Sequence, residues 1–298
     1  MTKTQGLPVA FIGMGVMGYP MAGHLQQAGH QVSVYNRTAD KAERWVGEYG
    51  GQAAATPAAA AAGARVACLC VGNDDDVRSV VYGPEGVLAG LSPGSVLLDH
   101  TTTSAVLAEE LEAACAEQDV RFMDAPVSGG QAGAKNGALT IMCGGDDAVF
   151  EAVRPVLDAY GQHAELMGPV GQGQRTKMVN QICITGILQG LSEGLLLAEE
   201  CGLDTEQLVR ALSGGAAGSW QMQNRTFSMA AGKFDFGFAI NWMRKDLDIA
   251  LAEAQRHGLW LETTARTDAA YARLQERGHG RSDTSALILD LRQRQNEV

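Results

Sequence analysis

Short hydrophobic runs alternate with longer, more polar stretches through the first half of the chain. Uninterrupted apolar runs of this length are typical of strands that are buried on both faces of a parallel sheet. The stretches between them, such as Tyr19–Ala28 and Ala39–Tyr49, have the length and polarity of surface helices. The alternation predicts a mostly parallel sheet with helices on both faces. The predicted strands are Pro8–Ile12, Gln31–Tyr35, Val66–Val71, Ser95–Leu98, Arg121–Asp124, Leu139–Cys143 and about His163–Leu166.

The strand pattern stops at Gly173, and helical patterns fill the rest of the chain. Residues 174–201 predict one helix, roughly 40 Å long at ~1.5 Å per residue, which is enough to link two domains. The pattern therefore predicts an α/β protein whose N-terminal domain, over residues 1–168, is built on a parallel sheet. An all-α domain over residues 169–298 follows and includes the long helix.

Three glycines recur at every fourth residue of this predicted helix: Gly186, Gly190 and Gly194. A helix face without side chains lets another helix approach closely. We therefore expect this face to pack against a second helix.

Composition limits the classes of function. A length of 298 residues fits two domains, and a net charge of −11 disfavours a broad surface for nucleic acid or anionic membrane. The six cysteines and six histidines show no spacing typical of metal ligands, so we predict no metal site. No run of 18 uninterrupted apolar residues suggests a membrane span. We expect a soluble, cytoplasmic protein.

A glycine-rich loop follows the first predicted strand and precedes the first predicted helix. Glycines at these places permit a tight turn and bring backbone N–H groups close to a pyrophosphate at the positive end of the helix. This context predicts a dinucleotide site. The predicted cofactor-binding positions of the loop are Gly13, Met14, Gly15, Val16, Met17 and Gly18.

The end of the second strand favours NADP over NAD. NAD-binding folds usually place Asp or Glu there, whereas this chain has Asn36, Arg37 and Thr38. A guanidinium and a hydroxyl suit a 2′-phosphate. Asp40 is the nearest acid, and the dipole of the next helix explains a carboxylate in its first turn. NAD stays the alternative cofactor.

Four stretches together resemble the signature motifs of the β-hydroxyacid dehydrogenases, a family that includes 3-hydroxyisobutyrate dehydrogenases and semialdehyde reductases. The resemblance covers residues 8–290 and implies a Rossmann domain, a long interdomain helix, an all-helical domain and a homodimer or homotetramer. The stretches are Gly13–Ala22, Asp124–Gly130, Gly171–Lys177 and Lys245–Leu247.

Lys177, at the head of the long helix, is the predicted catalytic residue. Reduction of an aldehyde needs a proton for the developing alkoxide, and a lysine can donate it and accept it back in the oxidation. Ser128 with Gly129 and Gly130 follows a strand end and offers a hydroxyl and consecutive N–H groups, a nest suited to a substrate carboxylate.

Other predicted positions depend on strand ends or on the resemblance. Val71 and Gly72 end one predicted strand and Thr102 follows another, so these three are expected to line the cofactor. The resemblance implies that Lys245 reaches the cofactor. It also implies an asparagine four residues after Lys177, where this chain has Gln181 with Asn180 before it. Both positions share a helix face with the lysine, so either amide could bind substrate.

Interconversion of a short hydroxy acid with its semialdehyde or oxo acid by NADP is the leading hypothesis. Glyoxylate and the semialdehydes of succinate, tartronate and methylmalonate all carry the required carboxylate. The alternatives are an NADPH-dependent enzyme similar to imine reductases and a catalytically inactive module that binds a dinucleotide and a partner protein. Lys177 and Ser128 argue against both alternatives.

Overall fold

The computed structural model describes residues 6–295, which divide into two compact units between Lys177 and Met178. The division lies inside the long helix. The predicted fold class is confirmed, with a Rossmann-type sheet first and helices after it. The predicted domain boundary between residues 168 and 169 precedes the long helix and stays a prediction.

The first unit is built on a six-stranded parallel sheet. In space the strands lie in the order β3-β2-β1-β4-β5-β6, so the order reverses beside β1, and ligands of such sheets bind at the carboxyl ends near this reversal. The predicted bounds of β1, β2 and β6 are confirmed, and the two-residue β3 was not predicted. The strands are β1 (Pro8–Ile12), β2 (Gln31–Tyr35), β3 (Gln52–Ala53), β4 (Val66–Leu69), β5 (Val96–Asp99) and β6 (Arg121–Asp124).

A second sheet of three strands corrects one expectation. The predicted strands near residues 139 and 163 form, but they do not extend the main sheet. They are β8 (Leu139–Cys143) and β9 (Gly161–Leu166), and β8 also pairs antiparallel with the short β7 (Val127–Ser128). Periodicity indicates a strand but does not say which sheet it joins.

Eight helices of the first unit lie between these strands. The short Ala-rich helix begins as predicted, because Pro57 occupies its first turn and the Thr56 hydroxyl accepts a hydrogen bond from the Ala59 N–H at 3.1 Å. The helices are α1 (Gly18–Gln27), α2 (Ala39–Tyr49), α3 (Pro57–Ala61), α4 (Asp74–Val81), α5 (Val87–Gly90), α6 (Ala105–Ala116), α7 (Gly130–Lys135) and α8 (Asp147–Leu157).

Both faces of the main sheet are buried. Val9 and Phe11 of β1 belong to one apolar cluster, and Ala10 and Ile12 belong to another. Alternate side chains of a strand point to opposite faces, so the continuous apolar runs supply two cores at once. This arrangement leaves the carboxyl edge of the sheet for polar residues.

The long helix α9 (Gln172–Glu200) begins in the first unit and continues through the second. The second unit is helical, and its core includes Leu188, Met243 and Tyr271. A π-helical turn at Gln275–His279 and a 3-10 turn at Thr284–Ala286 separate its last two helices. Its other helices are α10 (Thr205–Leu212), α11 (Trp220–Ala230), α12 (Ile240–Arg256), α13 (Glu262–Leu274) and α14 (Leu287–Gln295).

The glycine face of α9 does not pack as expected. No atom of the described chain lies within 4 Å of where a Cβ of Gly186, Gly190 or Gly194 would stand, other than the helix itself. The predicted close packing against another helix is therefore wrong within this chain. By length and composition alone, α9 could cross a membrane, a test that core helices of soluble proteins also pass.

Candidate functional site

The glycine loop joins β1 to α1 with little room for side chains. Gly13 has a φ of +105°, and a Cβ there would collide with the Cys70 carbonyl of the neighbouring strand end. A Cβ at Gly18 would collide with the Gly13 carbonyl. Gly15 differs, because no described atom lies within 4 Å of its Cβ position. The loop is thus tight on its protein side and open at Gly15, which fits close approach of a dinucleotide phosphate.

Asn36 anchors this loop to the end of β2. Its Oδ1 accepts a hydrogen bond from the Met14 N–H at 2.9 Å, and its Nδ2 donates to the Thr38 carbonyl at 2.9 Å. Asn36 therefore fixes the loop at Met14. This structural role accompanies its predicted position at the cofactor.

Arg37 projects into solvent beyond the same strand. Its side chain is 84% exposed, and Nη1 lies 3.2 Å from Oδ1 of Asp76 in the first turn of α4. The guanidinium stands where a cation suited to a 2′-phosphate was predicted. It has a carboxylate neighbour that the sequence did not suggest.

The ends of β4 and β5 are tied together and to the head of α9. The Val71 N–H donates to Thr101 Oγ1 at 3.1 Å. The fully buried Gln174 donates from Nε2 to the Thr101 carbonyl at 2.7 Å and accepts at Oε1 from the Thr103 N–H at 3.1 Å. These bonds clamp the segment that contains Thr102. Gln174 was not among the predicted site residues.

Asp124, at the end of β6, caps the helix that carries Lys177. Its carboxylate accepts hydrogen bonds from the Gly171 N–H at 2.7 Å and the Gln174 N–H at 2.8 Å. A Cβ at Gly173 would meet this carboxylate, so the glycine leaves it room. Burial raises the pKa of Asp124 to about 6, although these N–H bonds oppose the shift. The side chain of Lys177, one turn further, is itself buried.

A second buried acid lies beside Asp124. Asp99 is its register partner on β5, and its Oδ1 accepts from the Thr101 N–H at 2.9 Å. None of the described residues hydrogen-bonds its Oδ2. Burial is the main cause that raises the pKa of Asp99 to about 7, and the nearby Asp124 adds to the shift.

The predicted carboxylate nest lies where β7 gives way to α7. Ser128 ends β7, and Gly129 and Gly130 have φ values of +126° and +60°. Residues other than glycine rarely adopt such φ values, which explains both glycines. Whether Ser128 and these N–H groups bind a substrate stays a prediction.

The remaining predicted residues lie in the second unit. Gln181 is buried and Asn180 is half-buried on α9. Lys245 lies on α12, directly before Asp246. Its side chain is 21% exposed, and Nζ lies 3.1 Å from Oδ1 of the buried Asp246.

Arg175 lies two residues before Lys177 on α9. Its guanidinium donates to Oε1 of Glu109 on α6 at 2.8 Å. A carboxylate therefore shares the positive charge of this side chain.

Four residues that organise the site were not predicted: Asp76, Asp124, Gln174 and Asp246. Three of them had a visible signal, because Asp124 opens one signature stretch, and Gln174 and Asp246 lie within two others. A buried acid at the carboxyl end of a parallel strand could have been recognised as a helix cap. Asp76 had no such signal, because its partner Arg37 lies 39 residues away.

Two family profiles together match most of the chain. The profile of the NAD binding domain of 6-phosphogluconate dehydrogenase matches residues 8–198. The profile described as NAD-binding of NADP-dependent 3-hydroxyisobutyrate dehydrogenase matches residues 171–291. Both profiles describe domains that bind a nicotinamide dinucleotide.

Individual proteins resemble the chain over nearly its whole length. An uncharacterized oxidoreductase of Shewanella frigidimarina is 56% identical, over 95% of this chain and 97% of its own. A probable 3-hydroxyisobutyrate dehydrogenase-like protein of Arabidopsis thaliana is 41% identical, over 97% and 86%. The 2-hydroxy-3-oxopropionate reductase of Escherichia coli is 33% identical, over 95% and 96%.

A solved structure gives the same result for the fold. The 3-hydroxyisobutyrate dehydrogenase of Mycobacterium tuberculosis, with L-serine, superposes with a TM-score of 0.87 at 28% identity. The match covers 96% of this chain and 99% of that one.

Proposed function

This chain belongs to the β-hydroxyacid dehydrogenase family, and we propose that it interconverts a short hydroxy acid and its semialdehyde or oxo acid with NADP. NAD(P)-dependent hydroxyacid dehydrogenase activity follows from the family. The observation that carries the finer proposal is Lys177, buried one turn after the helix start that Asp124 caps.

Lys177 moves the proton in this proposal. A bound nicotinamide supplies or takes the hydride. In reduction the Lys177 ammonium donates a proton to the developing alkoxide, and in oxidation the neutral amine removes the proton of the hydroxyl. The hydrogen bonds of Asp124 and Gln174 hold the start of α9 in place. They therefore limit how far this helix can slide or rotate and carry Lys177 with it.

The substrate carboxylate is the proposed ligand of Ser128, Gly129 and Gly130. A hydroxyl and successive N–H groups at positive φ favour an anion. Relatives named for 3-hydroxyisobutyrate and for 2-hydroxy-3-oxopropionate both act on small hydroxy acids, which supports this substrate class.

The test of the reaction is oxidation of NADPH by the purified protein with a panel of short carboxylated aldehydes. Lys177→Ala should bind NADPH normally and lose on the order of 10²- to 10⁴-fold in turnover. Lys233→Ala, at an exposed lysine of the second unit, is the matched control and should keep full activity. Unchanged turnover in Lys177→Ala would remove this residue from the mechanism. If the protein binds NADPH but oxidises it with none of the aldehydes, an imine substrate or a binding role would be favoured.

Arg37 is the proposed determinant of NADP preference. Its exposed guanidinium at the end of β2 suits a 2′-phosphate, and no carboxylate occupies the place of the usual ribose-binding acid. Arg37→Asp should therefore shift the preference toward NADH. The ratio of kcat/KM with NADPH to kcat/KM with NADH measures this, and an unaltered ratio would contradict the assignment.

We also propose that the protein is a homodimer or homotetramer. Val179, Ile187 and Leu197 of α9 are exposed, on a side of the helix that also carries the bare glycines. Apolar side chains and glycines that no residue between 6 and 295 covers suit contact with a second copy. Light scattering coupled to size-exclusion chromatography would measure the mass, and a monomer at micromolar concentration would contradict this.

A further inference from the structure

Gln181 is buried within the second unit, and both ends of its amide are engaged. Gln181 is 2% exposed to solvent. Its Nε2 donates to Oδ2 of Asp246 at 2.6 Å and lies 3.8 Å from the sulfur of Met243. Its Oε1 accepts from Nδ2 of Asn180 at 2.7 Å. This amide has a partner for its oxygen and a partner for its nitrogen.

The order of these bonds fixes which way each amide points. A carboxylate only accepts hydrogen bonds, so Asp246 requires the nitrogen of Gln181 to face it. The oxygen of Gln181 then faces Asn180, which must present its own nitrogen. The charge of Asp246 thereby sets the orientation of Asn180 through one intervening residue.

The same carboxylate has a second charged neighbour. Oδ1 of Asp246 lies 3.1 Å from Nζ of Lys245, and Asp246 itself is 2% exposed. A buried carboxylate needs its charge and its lone pairs satisfied from both sides. Gln181 supplies a hydrogen bond to Oδ2, and Lys245 supplies an opposite charge beside Oδ1, which accepts no hydrogen bond from the described residues.

We propose that Gln181 is a positioning residue, which orients Asn180 and, through Asp246, Lys245, and that Asn180 is the amide that binds substrate. The inference rests on the proposed function for the role of Asn180. It resolves which of the two neighbouring amides serves the site, because the polar atoms of Gln181 are already used within the unit. Gln181 stands where the family resemblance implies an asparagine, and its extra methylene extends its reach toward Asp246.

A double-mutant cycle tests the link between Gln181 and Asn180. Gln181→Met keeps the side-chain volume and removes the hydrogen bonds. It should lower kcat/KM by about 10-fold, the loss expected for a hydrogen bond to a charged group. Asn180→Ala should lower kcat/KM more, by on the order of 10²-fold. At saturating NADPH, where weaker cofactor binding does not limit turnover, the double variant is no worse than Asn180→Ala within about threefold if Gln181 acts through Asn180. Losses that multiply would overturn the proposal.

Thr185→Val is the matched control for disturbing α9. Thr185 is buried one turn further along, and its hydroxyl bonds only to the carbonyls of Gln181 and Ile182 in the part of the chain that the structure describes. This variant should keep full kcat/KM. A melting temperature for every variant separates loss of folding from loss of positioning.

A second measurement does not require turnover. Without Gln181, Asp246 keeps Lys245 as its charged partner and holds it more tightly. Lys245 is then less available to the cofactor, which it is predicted to bind. NADPH affinity of Gln181→Met, followed by nucleotide fluorescence, should therefore fall about 3- to 10-fold, whereas Asn180→Ala should leave it unchanged. Unchanged NADPH affinity in a folded Gln181→Met would overturn the link to Lys245. If the aldehyde panel is silent, the proposed function fails, and this titration still decides the positioning role.

Discussion

Two buried aspartates, Asp124 in the first unit and Asp246 in the second, are held by different kinds of donor. Asp124 accepts from the backbone N–H groups of Gly171 and Gln174, at the start of a helix. Asp246 is held by the side chains of Gln181 and Lys245. Backbone donors cannot move without moving the helix, whereas side-chain donors can reorient. The first aspartate therefore fixes an element of the fold, and the second fixes the direction of neighbouring side chains.

Replacing each aspartate with asparagine gives the largest test of this difference. In Asp124→Asn the amide nitrogen faces a backbone N–H, which leaves a buried donor unsatisfied and should cost about 2–3 kcal/mol of unfolding free energy. In Asp246→Asn the new oxygen can still accept from Gln181, and the Lys245 side chain can turn away from the amide nitrogen, so the cost should be about 1 kcal/mol or less. Urea unfolding of both variants measures the two values. Equal costs would show that the two sites do not differ in this way.

The pH dependence of stability separates charge from position in the first unit. The pKa values of Asp99 and Asp124, about 7 and about 6, lie above the ordinary value for Asp. A raised pKa means that the native state binds protons more tightly. The stability from these groups is therefore present below about pH 4 and is lost as the pH rises through 6 to 7.

Asp99→Asn removes one of these titrations while an oxygen remains for the Thr101 N–H. Relative to the native protein, its unfolding free energy should rise by up to about 4 kcal/mol between pH 4 and pH 8. Thermal unfolding at the two pH values measures this change. A constant difference between the two proteins would mean that Asp99 does not titrate in this range.

The smallest expected effect concerns an exposed carboxylate. Asp76 lies 3.2 Å from Arg37, which is 84% exposed, and such surface pairs contribute little. Asp76→Asn frees Arg37 from a competing anion and should raise the preference for NADPH over NADH by about two- to fivefold. Asp75→Asn is the control, because Asp75 neighbours Arg78 instead at 3.7 Å. An equal change in both variants would indicate a general effect of charge.

The local pattern of the sequence predicted much of the fold. The bounds of β1 agree because its apolar run ends at Gly13, and β2 and β6 each have a short apolar centre next to polar residues. β3 and β7 contain two residues each and have no periodicity to detect. The separate sheet of β8 and β9 depends on pairing between distant strands, which no local pattern records.

The candidate site was predictable where it follows from strand ends. Thr102 and Gly13 follow β5 and β1, so the topology alone brings them to one edge of the sheet. The bonds of Asp124 to Gly171 and Gln174 join residues 47 and 50 positions apart, which spacing along the chain does not reveal. The predicted contacts of Gly13, Thr102, Val71, Gly72 and Lys245 with the cofactor all remain predictions.

The clamp at Gln174 has a consequence for insertions and deletions. Gln174 binds the Thr101–Thr103 segment at a fixed angle around α9, and Lys177 follows three residues later. One added or lost residue between them would turn the lysine by about 100° around the helix axis and shift it by ~1.5 Å. The side chains at positions 175 and 176 could therefore change in identity. The number of residues between Gln174 and Lys177 could not change without displacing Lys177.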